Sequence, residues 1–445
     1  MKNLKKSDIK VIRNSIINFL SKYGMYCDDI DIQKQVNLFI REMENGLKGN
    51  KSSLEMFPTF IEYQNTLLKK QPVVVLDAGG TNLRSALVIF DKDKKPEIKN
   101  FKTVPMPGLK HEVSKDEFFK AIAASIKDII GLSDKIGFVF SYPVKMFPDK
   151  DGMLVRFTKE IKAREVEGQF IGKNLIDTIN KYGFSGKRVI ILNDTVASLL
   201  AGISAFPERQ YDSFAGLILG TGMNASYIEK NSEIRKSDIS NLNPDGYQII
   251  NIEAGNYGKG QRGEIDLKFN SKTLEPGMGT YEKMFSGAYL GGLAGEVIKF
   301  ALEDGIFSKS FSEAFDNAFT FKSKDIDDYL YFPPRGSNML KLLDTVDDTD
   351  RIRLYYIFDN LIERAAMLVS VVLASAVIKS NRGIDPCHPV CITAEGSSFY
   401  KMKNFQSRVY RHMQRIFGER GFYYYEINKV ENAVLCGAAV AGLVG

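Results

Sequence analysis

Two short glycine turns, a scatter of carboxylates and amides, and one Thr-Lys pair carry the chemistry legible in this chain. The first turn, Asp77-Ala78-Gly79-Gly80-Thr81-Asn82, lies inside Val73–Phe90 (VVVLDAGGTNLRSALVIF), between two apolar runs. Adjacent glycines let a ligand approach the main chain, and the N–H groups of such a turn can converge on a phosphate. An acidic residue at the strand end, here Asp77, suits a Mg²⁺ held through water. An ordinary hairpin with a two-glycine tip shows the same local pattern. The second turn, Gly220-Thr221-Gly222-Met223-Asn224, repeats the plan inside Phe214–Lys230. Between the two stands Asn193-Asp194-Thr195. It reads either as a helix N-cap or as a catalytic site in which Asp194 takes a proton from an attacking hydroxyl. Thr158-Lys159, Glu253 and Glu282 each read singly as surface residues, and only their occurrence together in one order gives them weight.

The elements that must hold these residues follow from periodicity. Val73–Leu76 is apolar and largely β-branched, as a buried strand should be, and the pattern resumes at Leu83 beyond the turn. Lys135–Phe140 and Arg188–Leu192 read as further strands, the first running into Ser141-Tyr142-Pro143 and the second into Asn193-Asp194. A carboxylate at the C-terminal end of a strand, with a helix following, lies where open α/β sheets place ligands. Ile249–Glu253 and Val390–Ala394 read as strands, the latter leading into Glu395-Gly396-Ser397-Ser398. Helices are expected in two segments before residue 70, the second around Ile32–Leu47, and at Lys115–Ile130, Ile171–Tyr182, Val196–Ala205, much of Pro276–Phe300, and Asn432–Leu443. Residues 301–360 read as mixed helix and loop. The basic run Lys92–Lys102 reads as a solvated loop. The repeated turn motif implies two similar α/β halves facing each other across a cleft.

Bulk properties narrow the classes. At 445 residues the chain exceeds one ordinary core. Hydrophobic content of 44% and charged content of 26% describe a soluble globular protein. The net charge of +6 is spread out, with no sign of a nucleic-acid groove. Four scattered cysteines, Cys27, Cys387, Cys391 and Cys436, build no disulfide framework and are expected as buried thiols in a reducing, cytoplasmic setting. Cys387 and Cys391 have no second ligand pair at zinc-finger spacing. None of the three histidines stands beside a nucleophile motif. Asp8, Lys10 and Arg13 break the N-terminal apolar stretch, which therefore lacks a signal-peptide core, and Ala365–Ile378 is shorter than the ~18 residues of a membrane span and reads as a buried helix. Gly220-x-Gly222-x-x-Ala225 matches a dinucleotide fingerprint on paper, but a strand follows it where that fingerprint needs a helix. The P-loop pattern is absent, because Gly186-Lys187 lacks both the upstream glycine and the following Ser or Thr.

Taken in order over residues 70–445, these motifs resemble the hexokinase family of the sugar kinase, actin and heat-shock chaperone superfamily. Leu76–Arg84 is similar to the family's first phosphate motif, and Phe140-Ser141-Tyr142-Pro143 followed by Phe157-Thr158-Lys159 to its sugar signature. Leu192–Ala197 is similar to the segment with the catalytic aspartate, and Leu219–Ala225 to the second phosphate motif. Asn251-Ile252-Glu253 and Tyr281-Glu282-Lys283 match sugar-binding positions, Glu395-Gly396-Ser397 the adenosine loop, and Gly437-Ala438-Ala439 the closing helix.

The resemblance implies an α/β fold of two ribonuclease H-like, actin-like ATPase lobes about a central cleft. The small lobe would be 72–193 plus 432–445, the large lobe 1–71 plus 194–431. It implies ATP-dependent phosphorylation of a hexose, with glucose as the main candidate, at the C6 hydroxyl, the first step of glycolysis. Asp194 would be the base and Lys159 would offset charge on the transferred group. Ser141, Thr158, Lys159, Asn193, Asp194, Asn224, Glu253 and Glu282 would grip the sugar. Asp77 would hold Mg²⁺ through water; Gly79, Gly80, Thr81, Asn82, Arg84, Gly220, Thr221 and Gly222 would hold phosphates; Gly287, Gly396 and Ser397 would line the adenosine site. The expected partners are a hexose and Mg-ATP, without nucleic acid or membrane, in a monomer or homodimer. A kinase for another sugar, or a non-catalytic sugar sensor on the same fold, is the alternative. The chain departs from the family at Phe157 and Ala254, where the family usually has Trp, at Glu160, where it usually has Gly, and at Met223, which replaces a smaller residue. The first three flank the sugar site and bear on hexose preference.

Overall fold

Two sheets built on one plan organise the chain. A computed structural model describes residues 5–62, 71–93, 95–157, 161–206, 208–236, 242–315, 320–331 and 347–444. The described strands are β1 (Phe57–Glu62), β2 (Val73–Ala78), β3 (Asn82–Phe90), β4 (Pro96–Pro105), β5 (Lys135–Phe140), β6 (Val144–Met146), β7 (Gly152–Leu154), β8 (Arg188–Leu192), β9 (Ser213–Leu219), β10 (Met223–Lys230), β11 (Tyr247–Asn251), β12 (Val390–Glu395) and β13 (Tyr425–Asn428). One sheet has the order β4-β3-β2-β5-β8 and the other β1-β11-β10-β9-β12-β13. In each, an antiparallel meander (β2-β3-β4, β9-β10-β11) is followed by two parallel strands (β5 and β8, β12 and β13) added beside its first member. The duplication inferred from the glycine turns is therefore a duplication of topology, with β1 as an extra edge strand on the second sheet.

Two small-residue helices lie between the sheets. Asp194–Ala205 packs on β9, β10 and β12, and Ala433–Val444 packs on β2, β5 and β8. They cross where a methyl group at Gly437 would come within 1.8 Å of the Ala197 carbonyl oxygen. A methyl at Gly137 on β5 would meet the Ala438 carbonyl at 1.9 Å. Glycine is the one residue that permits both approaches. The helix Asp348–Ser380 supports the second sheet with helices Lys6–Lys22, Ile32–Leu47 and Phe405–Arg420. It is long and apolar enough to cross a membrane, yet 89% of its most apolar window is buried inside the protein, so it is a core helix. Arg364 on this helix pairs with Asp266 at 2.5 Å, both side chains almost fully buried.

Several expected elements differ. The basic run Lys92–Lys102 is largely the exposed edge strand β4 and not a loop. Lysines keep such an edge from pairing with another chain, so the charge that suggested a loop is also what an exposed strand needs. The helix expected over Pro276–Phe300 is confined to Leu290–Glu303, after a short 3₁₀ turn at Glu282–Met284. Gly277 and Gly279, both at positive φ, break the preceding stretch. The expected Lys115–Ile130 helix ends at Ser125, with Ser114 capping its start. The helix after β8 begins at Asp194 and is capped by Asn193. β1 had no counterpart in the periodicity. Three cysteines are buried, but Cys387 is exposed.

Candidate active site

The register of the first sheet fixes where its functional residues stand. Asp77 pairs with Val139, and Val139 with Leu192, so the C-terminal ends of β2, β5 and β8 are level. The Gly79–Thr81 turn, Ser141 and Asn193-Asp194 therefore project from the same edge, one strand apart, or about 5 Å per step. Asp77 is buried, with Arg84 Nη1 at 3.4 Å from its Oδ2. The Tyr142 hydroxyl donates to the Gly80 carbonyl at 2.9 Å, and the Met106 N–H donates to the Thr81 carbonyl at 2.9 Å, so the turn is braced from two sides. Asn82 opens β3 with its amide 3.4 Å from the Thr81 hydroxyl. The Ser141 hydroxyl is buried and finds no hydrogen-bond partner among the described residues.

The second sheet brings the remaining residues to this edge. Asn193 Oδ1 accepts from the N–H and hydroxyl of Thr195, at 2.9 and 2.8 Å, and lies 3.5 Å from Asn224 Nδ2. Asn224 Nδ2 also donates to Asn251 Oδ1 at 2.8 Å, and Asn251 Nδ2 donates to Glu253 Oε1 at 2.8 Å. Asn224 Oδ1 receives the N–H groups of Ala225 and Ala254 at 2.7 and 3.1 Å. Glu253 sits just past β11 with φ of 57°, a left-handed conformation that costs energy for any residue with a Cβ and that accumulates at functional sites. Glu282 Oε2 accepts from the Met223 N–H at 3.0 Å, which ties its loop to the second glycine turn. Burial pushes the Glu253 carboxyl up to about 7. The hydrogen bond from Asn251 opposes that rise, and the charges of Glu55, Asp194 and Glu282 add to it. Asp194 and Glu282 thus stand within electrostatic reach of Glu253.

Residues of two further loops converge on the second turn. The Gly287 N–H donates to the Gly220 carbonyl at 2.8 Å and the Ala288 N–H to the Thr221 carbonyl at 3.0 Å. The Ser398 hydroxyl lies 3.2 Å from the Gly220 carbonyl. A methyl at Gly396 would meet the Leu219 carbonyl oxygen at 2.1 Å, so Gly396, Ser397 and Gly287 flank Gly220–Gly222.

Thr158, Lys159 and Glu160 lie outside the described residues. Phe157 packs on Tyr142, Phe118 and Phe140, with ring centroids 5.1, 5.5 and 6.3 Å away. Ala254 is fully buried, and Met223 points into the core. Asn256 and Glu55 are site neighbours to which sequence reasoning gave no role, and Asn251 was matched to the sugar-binding positions without a role of its own. Asn251 stood in a recognised stretch on a strand. Glu55, in a loop some two hundred residues from Glu253, left no local signal. Two surface grooves, of about 540 and 450 Å³, lie elsewhere, against Lys22 and Asp304 and against Glu363 and His412.

Two family models, both described as "Hexokinase", match residues 214–444 and 21–204. The hexokinase of Schistosoma mansoni is 33% identical over 292 residues, 62% of this chain and 63% of that protein's length. Hexokinase-2 of Saccharomyces cerevisiae is 27% identical over 427 residues, 87% of this chain and 82% of that protein. A solved structure of the Schistosoma mansoni hexokinase complexed with glucose superposes with a TM-score of 0.78 at 26% identity, covering 98% of this chain and 99% of that one.

Proposed function

The chain belongs to the hexokinase family, and on that premise we propose that it transfers the terminal phosphoryl group of ATP to the C6 hydroxyl of a hexose, with glucose as a main substrate. The observation that carries this assignment is the linked set Asn193, Asn224, Asn251 and Glu253, with Asp194 and Glu282 beside it, between two glycine turns. Glucose follows from the ligand named for the Schistosoma mansoni structure.

The side chains present suit that chemistry. A sugar hydroxyl both donates and accepts, so carboxylates can take its hydrogens while Asn amides and Ser141 supply the complementary groups. The Ser141 hydroxyl, without a partner among the described residues, is a buried polar group that a bound hydroxyl would satisfy. Glu253 and Glu282 bind two positions of the ring. Asp194, at the first turn of its helix, receives the proton of the attacking hydroxyl as the oxygen–phosphorus bond forms and ADP leaves. Lys159, next to Thr158, offsets charge on the group in transit. The turn Gly79–Asn82 with Arg84 and the turn Gly220–Gly222 hold the phosphates through main-chain N–H groups, while Gly287, Gly396 and Ser397 border the adenosine. Asp77 is one buried carboxylate beside an exposed turn. That donor set fits a Mg²⁺ that keeps water and phosphate oxygens as its other ligands. The ion would neutralise phosphate charge.

Sugar-dependent ADP release across a panel of hexoses, with and without Mg²⁺, tests the assignment. ADP formation that requires both hexose and Mg²⁺, fastest or among the fastest with glucose, is the expected result. ATP hydrolysis indifferent to every hexose would refute it.

A further inference from the structure

A fourth carboxylate adjoins the sugar site, on a loop that no motif singled out. Glu55 lies between helix Ile32–Leu47 and β1, and that loop is pinned from several directions. The Ser53 N–H and hydroxyl donate to Glu42 Oε2 at 2.9 and 2.8 Å. The Gly258 N–H donates to the Ser53 hydroxyl at 2.9 Å, and the Met56 N–H to the Ile252 carbonyl at 3.4 Å. The Lys236 ammonium caps the carbonyls of Glu55 and Met56. A backbone held this way delivers its carboxylate to a fixed place. There Asn256 Nδ2 donates to both Glu55 oxygens, at 3.2 and 3.4 Å, while Asn256 Oδ1 receives the Gly279 N–H at 3.2 Å. Gly279 itself lies against Glu282, where an added methyl would meet Oε1 at 2.9 Å. Asn256 thus joins the Glu55 loop to the loop that carries Glu282, three residues after Glu253.

We propose that Glu55, held by Asn256, is a positioning residue of the hexose site, whose charge tunes Glu253 and so the affinity and ranking of the hexoses retained. The proposal rests on the hexose kinase assignment. Glu253 faces Glu55, Asp194 and Glu282 among charged groups, with Asn251 and Asn224 as amide partners, and of the three charges Glu55 weighs most. Glu55 in turn faces the cations Lys236 and Arg156 and the amide of Asn256, while its own burial raises its carboxyl above the usual range. The neighbouring negative charge keeps a proton on Glu253 at higher pH than burial alone would. A protonated Glu253 accepts hydroxyl hydrogens less well, so hexose binding weakens as pH falls, and Glu55 sets where that fall begins.

Glu55→Gln retains an oxygen for Asn256 and removes the charge; Glu55→Asp retains the charge. Glucose affinity by titration calorimetry, from about pH 6 to about pH 8, is compared among the wild type and both variants, alongside KM and kcat for a hexose panel. Expected is a midpoint for loss of affinity at least ~0.5 pH unit lower in Glu55→Gln, wild-type-like in Glu55→Asp, with KM and hexose ranking moving more than kcat. Asn256→Ala, which leaves the charge but frees it, is expected to raise hexose KM by about 10-fold. An active wild type with the same midpoint and ranking in Glu55→Gln would overturn the role of Glu55 and leave the kinase assignment standing. A wild type that neither binds nor phosphorylates any hexose would remove both.

Discussion

Four carboxylates and four asparagines around one small volume form a charge problem before they form a site. Glu253 bears most of it, partly reachable by solvent but surrounded on most sides by protein. Its folded-state value near 7 lies above the ordinary carboxylate range, so the folded chain holds that proton more tightly than the unfolded chain does. Stability from this group is therefore fully present at acid pH and is lost as pH rises through about 7. A hexose that offers hydroxyl hydrogens favours the ionised form and reverses the loss. The rise in melting temperature caused by saturating glucose should be larger at about pH 8 than at about pH 6, by thermal shift. An equal or smaller rise at the higher pH would contradict this account of Glu253.

At the scale of elements, the site depends on close backbone approaches. Gly437→Ala would drive a methyl into the Ala197 carbonyl where the two central helices cross, with only 1.8 Å available. Overpacking of this kind costs about 1–3 kcal/mol or more, so a clear drop in the urea midpoint is expected. Gly287→Ala meets the Gly220 carbonyl at 2.4 Å and should displace the second turn. Its expected signature is a KM for ATP raised by about 10-fold with glucose affinity nearly unchanged, measured by kinetics and calorimetry. The strands bearing the turns were legible because β2, β8, β9 and β12 are buried apolar runs ending in glycine or polar residues. β1 was not, because Pro58 and an irregular register between Pro58 and Glu62 hide its alternation. The Pro276–Phe300 stretch misled because Tyr281, Met284 and Phe285 are buried at helical spacing although most of the loop around them is not helical. Its hold comes from Lys283, whose ammonium reaches Asn270, Thr273 and the Glu275 carbonyl, contacts that periodicity cannot reveal.

The whole molecule is two copies of one strand plan joined through two crossing helices, with one glycine turn in each copy. This duplication was visible in the sequence because both copies kept their glycine turn. The convergence of Glu253, Glu282 and Asn193 on Asp194 was legible only through family order, since contacts between residues so far apart have no local signature. Lobes joined in this way can close on a bound sugar and expel water that would compete as acceptor. Glucose should therefore reduce the radius of gyration in small-angle scattering, and an unchanged profile would argue for a site already closed. The central claim is that Asp194 takes the proton of a hydroxyl which the neighbouring amides and carboxylates hold in place. Its most direct test pairs the turnover of Asp194→Ala with its glucose affinity by calorimetry. Turnover should fall by about 10²–10⁴-fold while glucose binding persists in weakened form. Turnover at the wild-type rate would contradict the account.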